Sequence, residues 1–359
     1  MKKICLVNFD MSVSGGAEQV SAALSAALAD RYEVHILSLC MTGKLVYDLD
    51  PRVKFHALLP QEERLRTIRR KLKPMILRYF RENHIEAAIA QGNYSAFLLS
   101  AVRGQTSAKL IFCDHGALMN QWHQKDIVLI RLLASHLCHR VVTLTEQSRE
   151  DYHRKLLVSR KKLCCIPNWI DLELSRSESY AEDSRKIISA GRFGPEKGFE
   201  MLVEIFAKVV KRCPDVSLDL YGDGENRPLV EEKIRSLHME PWIHLMGMRR
   251  DLAMQYRNYA LYVLPSYREG MPLVLLEAKA NRLPIVSFDI MTGPREIVRD
   301  GIDGVLIPPY DQEKMADAIC HLMEDSLLRK QMSCRSQENL SKFDKETILK
   351  QWTGLIESL

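Results

Sequence analysis

Pro265-Ser266-Tyr267-Arg268-Glu269-Gly270-Met271-Pro272-Leu273-Val274-Leu275-Leu276-Glu277 directly follows the apolar run Ala260 to Leu264. That run has the length of a buried strand. Gly270 opens the turn, and Pro272 suits the first turn of a helix, where its missing N–H is not needed. Leu273 to Asn281 continues as a helix, so Glu277 projects about one turn in while Glu269 stays in the loop above the strand end. Two carboxylates thus flank a helix N-terminus whose free N–H groups suit a phosphate. Carboxylates repel a phosphate unless they face the sugars on either side of it. The pattern points to a nucleotide sugar.

Around this stretch the second half of the chain alternates strand and helix: Ile187 to Ala190, Val216 to Tyr221, Ile243 to Met246, Pro284 to Phe288 and Val305 to Ile307 read as strands. Asp311 onward reads as helical to the end. The loop Gly191-Arg192-Phe193-Gly194-Pro195-Glu196-Lys197-Gly198 follows the first of these strands, and Gly222-Asp223-Gly224 follows the second. Arg192 and Lys197 in one glycine-bounded loop can clamp a diphosphate, Arg as a fork and Lys as a point charge. Either cation alone would read as an exposed loop charge. In a parallel sheet all these loops lie on the C-terminal edge, where ligands bind, so the parts converge.

The first half repeats the alternation: Lys3 to Asn8, Glu33 to Leu39, Val53 to Leu58, Ala87 to Ala90, Lys109 to Cys113 and Arg140 to Leu144 read as strands. Such alternation predicts parallel sheets with right-handed crossovers. The turn Asp10 to Gly16 is glycine-rich and leads into a helix near Ala17, but lacks the GxGxxG spacing of a dinucleotide site. His115, just after a strand end, can donate to a substrate hydroxyl or to developing charge; a lone loop histidine is more often structural. Polar Ser175 to Ser184 has no apolar period and marks the domain boundary. The expected domains are 1–172 and 173–343, with 344–359 a C-terminal helix packing back toward the N-terminal domain.

Bulk properties set wide limits. At 359 residues, 46% apolar and 27% charged, the chain suits two soluble domains with separate cores. Nine cysteines, an odd number set mostly in apolar segments, read as reduced thiols of a cytosolic protein. His136, Cys138 and His139 lack spaced partners for a tetrahedral metal site. The apolar start is too short for a signal-peptide core, and no uncharged apolar run reaches spanning length. Charge is concentrated in Glu62 to Asn83, where Arg64, Arg66, Arg69, Arg70, Lys71, Lys73, Arg78 and Arg81 alternate with apolar residues at helical spacing. A basic amphipathic helix reads equally as one packed on the sheet or one lying on an anionic membrane at the inner face of the cell membrane. Pro74 is expected to kink or split it. Nucleic acid is disfavoured because stacking aromatics are not interleaved.

Together, Gly191-Arg192-Phe193…Glu196-Lys197-Gly198, Gly222-Asp223-Gly224, and Glu269 with Glu277 seven residues between resemble the family-four retaining glycosyltransferases. The resemblance runs from Gly15-Gly16-Ala17-Glu18 to Asp303-Gly304. It implies α/β GT-B architecture, two Rossmann-like doubly wound domains facing across a cleft, the first for acceptor and the second for donor. By it, Arg192 and Lys197 hold the nucleotide diphosphate, Glu269 the donor-sugar hydroxyls and Glu277 the ribose. The N–H groups of Gly270, Met271 and Leu273 meet sugar and phosphate. Gly15 and Gly16 bring backbone to the phosphate, His115 sits near the transferred sugar, and the base lies by Gly222 and Arg249. The resemblance further implies transfer of a hexose or N-acetylhexosamine with retention, without cofactor or metal. Cations and the helix end would stabilise the leaving diphosphate. Thr292 to Glu296 resembles users of UDP-sugars. The basic segment suits a membrane-anchored glycan or lipid-linked acceptor. The competing readings are a GT-B sugar-nucleotide epimerase or phosphorylase, and a catalytically silent sugar-nucleotide-binding or scaffold subunit; keeping four charges in a cleft without use argues against silence.

Overall fold

The apolar runs become strands of two parallel sheets in the computed structural model. It describes residues 1–13, 15–61, 65–171, 177, 179–249 and 252–359, the side chains of 65 and 66 excepted. The first sheet holds β1 (Lys3–Asp10), β2 (Glu33–Cys40), β3 (Lys54–Leu59), β4 (Ala87–Gln91), β5 (Lys109–Asp114), β6 (Arg140–Thr143) and β7 (Leu163–Cys165), in the order β3-β2-β1-β4-β5-β6-β7. The second holds β8 (Lys186–Ala190), β9 (Ser217–Tyr221), β10 (Ile243–Gly247), β11 (Leu261–Leu264), β12 (Ile285–Phe288) and β13 (Gly304–Ile307), in the order β10-β9-β8-β11-β12-β13. Central strands such as β4, β11 and β12 are buried at every residue. That explains why they read as continuous apolar runs: helices cover both faces of such sheets.

Each sheet winds outward from its first strand and then returns to that strand's other side. The direction reverses between β1 and β4 and between β8 and β11, the two places where such a sheet opens a crevice beyond its C-terminal strand ends. The chain divides into a unit of Met1–Asn168 with Ile348–Leu359 and a unit of Trp169–Thr347. Each has its own apolar core. The last helix, Lys345–Glu357, closes the first unit: Lys2 Nζ donates to the Ile356 carbonyl at 2.7 Å and the Tyr32 hydroxyl to Glu357 Oε1 at 2.6 Å.

Four features depart from the sequence reading. Strand β7 is not anticipated, because three residues are too few to show a period. The basic helix runs unbroken as Leu65–Glu82 through Pro74, which sits on its exposed side where water can serve the carbonyl that loses its donor. Arg64 lies outside the described residues, as do 175, 176 and 178 of the polar boundary stretch. The helical C-terminal region is interrupted: Asp325 ends Gln312–Glu324 and caps Ser326–Arg335, its carboxylate accepting from Leu328 N at 2.8 Å. Pro272 is the N-cap of the helix Leu273–Ala280, one position before the first turn.

Candidate active site

The loop after β8 is fastened to the neighbouring strand ends by its own backbone. Gly191 N donates to the Tyr221 carbonyl (3.0 Å), Phe193 N to Asp223 (2.9 Å), and Asn226 N to Phe193 (2.8 Å). Gly222 has φ 129°, and a Cβ there would lie 1.9 Å from the Gly191 carbonyl oxygen, so the approach of β8 and β9 loops admits only glycine. Phe193 is buried against Phe199, ring centroids 4.3 Å apart. With that ring anchored, the loop reaches toward β11.

There Lys197 Nζ meets Glu269 Oε1 at 2.8 Å and Oε2 at 3.0 Å. The pair is 21% and 8% exposed, deep enough to escape most screening. Glu269 is further held by Ser266 Oγ, which donates to Oε1 at 2.7 Å, and by Thr292 Oγ1, which donates to its carbonyl at 2.7 Å. Gly293, at φ 100°, packs under this turn; a Cβ there would meet Pro272 Cδ at 2.8 Å. So the loops after β8, β11 and β12 form one interlocked edge around Lys197 and Glu269.

Arg192 takes a different position. Its exposed guanidinium pairs with Glu196 at 2.8 Å, with Glu225 more distant at 3.9 Å. The Glu196 carboxyl is opposed by burial, but backbone and Arg192 contacts prevail and hold it below its usual value. An exposed pair of this kind is worth about 0–1 kcal/mol, so Arg192 can change partners at little cost. Glu277 is partly buried on the helix Leu273–Ala280 and accepts from the Tyr256 hydroxyl at 2.9 Å. Burial pushes its carboxyl up, against that hydrogen bond. Gly270, Met271 and Leu273 form the turn and first helical residue between the two acids, and Pro272 supplies no side-chain acceptor to that helix end. Arg249 is exposed beyond β10, beside the undescribed residues 250 and 251.

Lys279, from the same helix as Glu277, is fully buried and pairs with fully buried Asp303 at 2.8 Å. Burial pushes the Lys279 ammonium down to about 8, with Asp303 opposing. Its Nζ also donates to the Ile297 carbonyl at 2.9 Å, tying the helix to the segment after Gly293. Asp219, one of the carboxylates near Gly222, is occupied by the Tyr259 hydroxyl at 2.7 Å and His244 Nδ1 at 2.8 Å.

In the first unit, Gly15 is extended (φ −147°) and starts the helix Gly16–Leu28, its carbonyl accepting from Gln19 N at 3.1 Å. A Cβ on Gly16 would meet nothing within 4 Å, so the chain's own packing does not demand glycine there. Asp10 ties the preceding turn together: burial opposes its charge, but hydrogen bonds from Ser12 and Thr42, the side-chain pair at 2.6 and 2.7 Å, win and hold it below the ordinary carboxylate range.

His115 follows β5, its Nε2 2.5 Å from Gln91 Oε1. The Gln91 amide oxygen can only accept, so Nε2 carries the proton and Nδ1 of the neutral ring is left as an acceptor rather than the donor that the sequence suggested. Burial pushes the imidazole down to about 4, with Asp114 opposing, so the ring is neutral at pH 7. Beneath it Asp114 accepts from Arg131 Nη2 at 3.3 Å and from the Tyr152 hydroxyl at 2.7 Å, with Arg131 Nε 3.0 Å from the carboxylate as an ion pair and all three residues buried. The His115 shift has a sign that can be read out. The folded value lies below the unfolded value of roughly 6.5, so the unfolded chain takes up the proton first and stability falls as pH drops from 6.5 toward 4. His115→Gln is therefore expected to lose less stability than wild type between pH 7 and pH 5, measured as urea midpoints. Equal losses would remove burial as the controlling factor.

Tyr256, Lys279, Asp303, Asp114, Arg131 and Tyr152 are absent from the sequence-derived site. The available signal was a charge inside an otherwise apolar segment, as Arg131 in Ile127–Ala134.

Two doubly wound parallel-sheet units, the second carrying basic and acidic groups at its switch point, define a GT-B glycosyltransferase fold. Residues 14–174 match the model of glycosyltransferase family 4, and residues 172–339 match that of glycosyl transferases group 1. The chain belongs to this glycosyltransferase family. It is 27% identical over 366 residues to the amylovoran biosynthesis glycosyltransferase AmsD of Erwinia amylovora, covering 99% of this chain and 100% of that one. It is 25% identical over 361 residues to an uncharacterized glycosyltransferase of Haemophilus influenzae, again covering 99% and 100%. Among solved structures, Anabaena HepE in complex with UDP superposes with TM-score 0.83 at 19% identity, over 100% of both chains.

Proposed function

We propose that this glycosyltransferase moves a hexose or N-acetylhexosamine from a UDP-sugar, with retention, to a lipid-linked or polysaccharide acceptor in cell-surface glycan assembly. The observation that carries the proposal is the Lys197–Glu269 pair at the β8/β11 switch point, braced by three loops. A diphosphate arriving there brings charge that Lys197 can share with Glu269 and that Arg192 can reach by leaving Glu196. Glu269 accepts from hydroxyls of the transferred sugar, and Glu277 from the ribose, so neither is needed as a general acid. The N–H groups around Gly270, Met271 and Leu273 add the helix dipole to the leaving oxygen. Gly222 and Arg249 border the base. Gly15, Gly16 and His115 are the first unit's candidates for substrate contact, and neutral His115 would act by hydrogen bonding rather than by charge.

The UDP preference is supported by the UDP of HepE, and the glycan class by the amylovoran role in the name of AmsD. No metal or cofactor enters this scheme, since side-chain cations and a helix end meet the diphosphate. No helix among the described residues is long and apolar enough to cross a membrane. Contact with a lipid-linked acceptor is therefore proposed as peripheral, at the inner face of the cell membrane, through the basic helix. The testing experiment is a thermal-shift panel of UDP- and GDP-sugars, followed by UDP release and anomeric analysis of the product by NMR. Stabilisation by UDP-sugars alone and an axial-to-axial outcome are expected. Stabilisation by GDP-sugars alone, or inversion, would overturn the donor or the stereochemistry.

A further inference from the structure

A concave site lies wholly within the first unit, lined by none of the candidate active-site residues. It is a cavity of about 610 Å³ among the basic helix Leu65–Glu82, the helix Asn93–Leu99 and the helix Lys125–Leu137. That volume lies within the roughly 300–1,000 Å³ of small-molecule sites. Its walls divide by chemistry. Arg69, Arg70 and Lys73 line one side, and no carboxylate among the described residues forms an ion pair with them. Phe97 and Leu129 line the other, and Asp126 is the one acid of the lining. The Arg69 guanidinium lies 4.5 Å from the Phe97 ring centroid, so Arg69 is committed to the aromatic face while Arg70 and Lys73 remain for a ligand. Leu129 is 54% exposed, and Leu133, one turn further along its helix, is 39% exposed. Large apolar side chains left open beside cations with no acid partner among the described residues fit a molecule with an anionic head and a hydrocarbon tail.

Position adds to composition. Leu65–Glu82, Asn93–Leu99 and Lys125–Leu137 begin beyond the C-terminal ends of β3, β4 and β5. Most of the lining comes from the early turns of these helices, so the cavity lies toward the C-terminal strand edge of the first sheet. A basic face whose only task was to lie on an anionic surface would not need an apolar recess between three helices.

We propose that this cavity binds one molecule of a single-chain lipid phosphate, its phosphate on Arg70 and Lys73 and its chain along Phe97, Leu129 and Leu133. The inference rests on the reading of the acceptor as lipid-linked and makes it specific: a discrete lipid site in place of diffuse attraction. The partner is a lipid of the membrane. Inorganic phosphate lacks the tail that the apolar wall accommodates.

Isothermal titration of the full chain with dodecyl phosphate, below its critical micelle concentration, tests this. Saturable one-to-one binding is expected, weakened at least tenfold both by Arg70→Glu with Lys73→Glu and by Leu129→Asp. Arg70 and Leu129 are exposed, so these changes should leave the fold intact, with far-UV circular dichroism as the check. Lys161→Glu, an exposed charge reversal elsewhere in the unit, should leave binding unchanged. Equal affinity for inorganic phosphate or for dodecyl maltoside, an equal loss in Lys161→Glu, or binding to anionic vesicles without binding of the monomer would each overturn the proposal. Hydrolysis of the UDP-sugar by water requires no lipid. If wild type hydrolyses the donor but binds no dodecyl phosphate, the cavity assignment fails while the donor site stands.

Discussion

Lys197→Ala is expected to lower kcat/KM for donor turnover by about 10²–10³-fold, the range for loss of one preorganised group that meets developing charge. The same change removes the cation from Glu269, which is only 8% exposed. Breaking a fully buried pair by truncating one partner costs about 3–5 kcal/mol. Here Lys197 is 21% exposed and Ser266 still donates to the carboxylate, so roughly 1–3 kcal/mol is the reasonable share. Activity and stability therefore fall together, and a second variant must separate them. Lys197→Ala with Glu269→Gln removes both charges; the melting temperature should recover while turnover stays low. Arg192→Ala should show the opposite division, since its surface pair with Glu196 adds little stability: the melting temperature holds and turnover falls. Steady-state release of the donor's nucleoside diphosphate and calorimetric melting on these variants decide the matter. Recovery of turnover in the double variant would reduce Lys197 and Glu269 to a structural strut.

The sequence carried the strand order less well than the strands. Apolar runs such as Ala87–Ala90 and Leu261–Leu264 announce buried strands because both faces of a parallel sheet are covered. Nothing local in them states that β4 returns beside β1, or β11 beside β8; that follows from the handedness of crossovers and becomes definite only in the structure. The acids and cations of the second unit were legible because they stand in loops, next to glycines, where charge has no packing role. Their pairing was not. Glu196 is four residues from Arg192 and captures it, while Lys197 crosses to Glu269, 72 residues away. Loop spacing cannot tell those two outcomes apart. Lys279 and Asp303 escaped notice for the reverse reason: both are fully buried and their pairing joins segments 24 residues apart, while the nearer Arg299, which donates to Asp303 at 2.6 Å, gives no hint of Lys279. His115 shows a middle case, its place at a strand end correctly read, its neutral ring and Gln91 contact visible only once burial is known.

The support beneath His115 is where the greatest loss of stability is expected. Asp114, Arg131 and Tyr152 are each 1% exposed or less. Burial disfavours the Arg131 charge, but Asp114 and Tyr152 outweigh it and raise its value, so the guanidinium stays charged beside the carboxylate. Tyr152 is pushed well above its ordinary value, by burial first and then by Asp114, and acts as a neutral donor. Arg131→Met keeps the volume and removes the cation, leaving Asp114 buried without a cationic partner and held by one hydroxyl and the Gly116 N–H at 3.1 Å. The expected cost is about 3–5 kcal/mol. At roughly 2–4 °C per kcal/mol for a unit of this size, melting of the first unit should fall by about 10 °C. Asp114→Asn should cost a comparable amount, since it strands the guanidinium instead. The two losses will not add. Asp114→Asn with Arg131→Met buries no unpaired charge and should be more stable than the sum of the singles by more than 1 kcal/mol, the sign of direct coupling in a double-mutant cycle. Urea unfolding of the four proteins reads this coupling, and additive losses would show that the three side chains are neighbours without being partners. Because Gly116 N also donates to Asp114, the same variants should disturb the turn that holds His115, so donor turnover should fall in proportion to unfolding of that turn rather than by the fixed factor expected of Lys197→Ala.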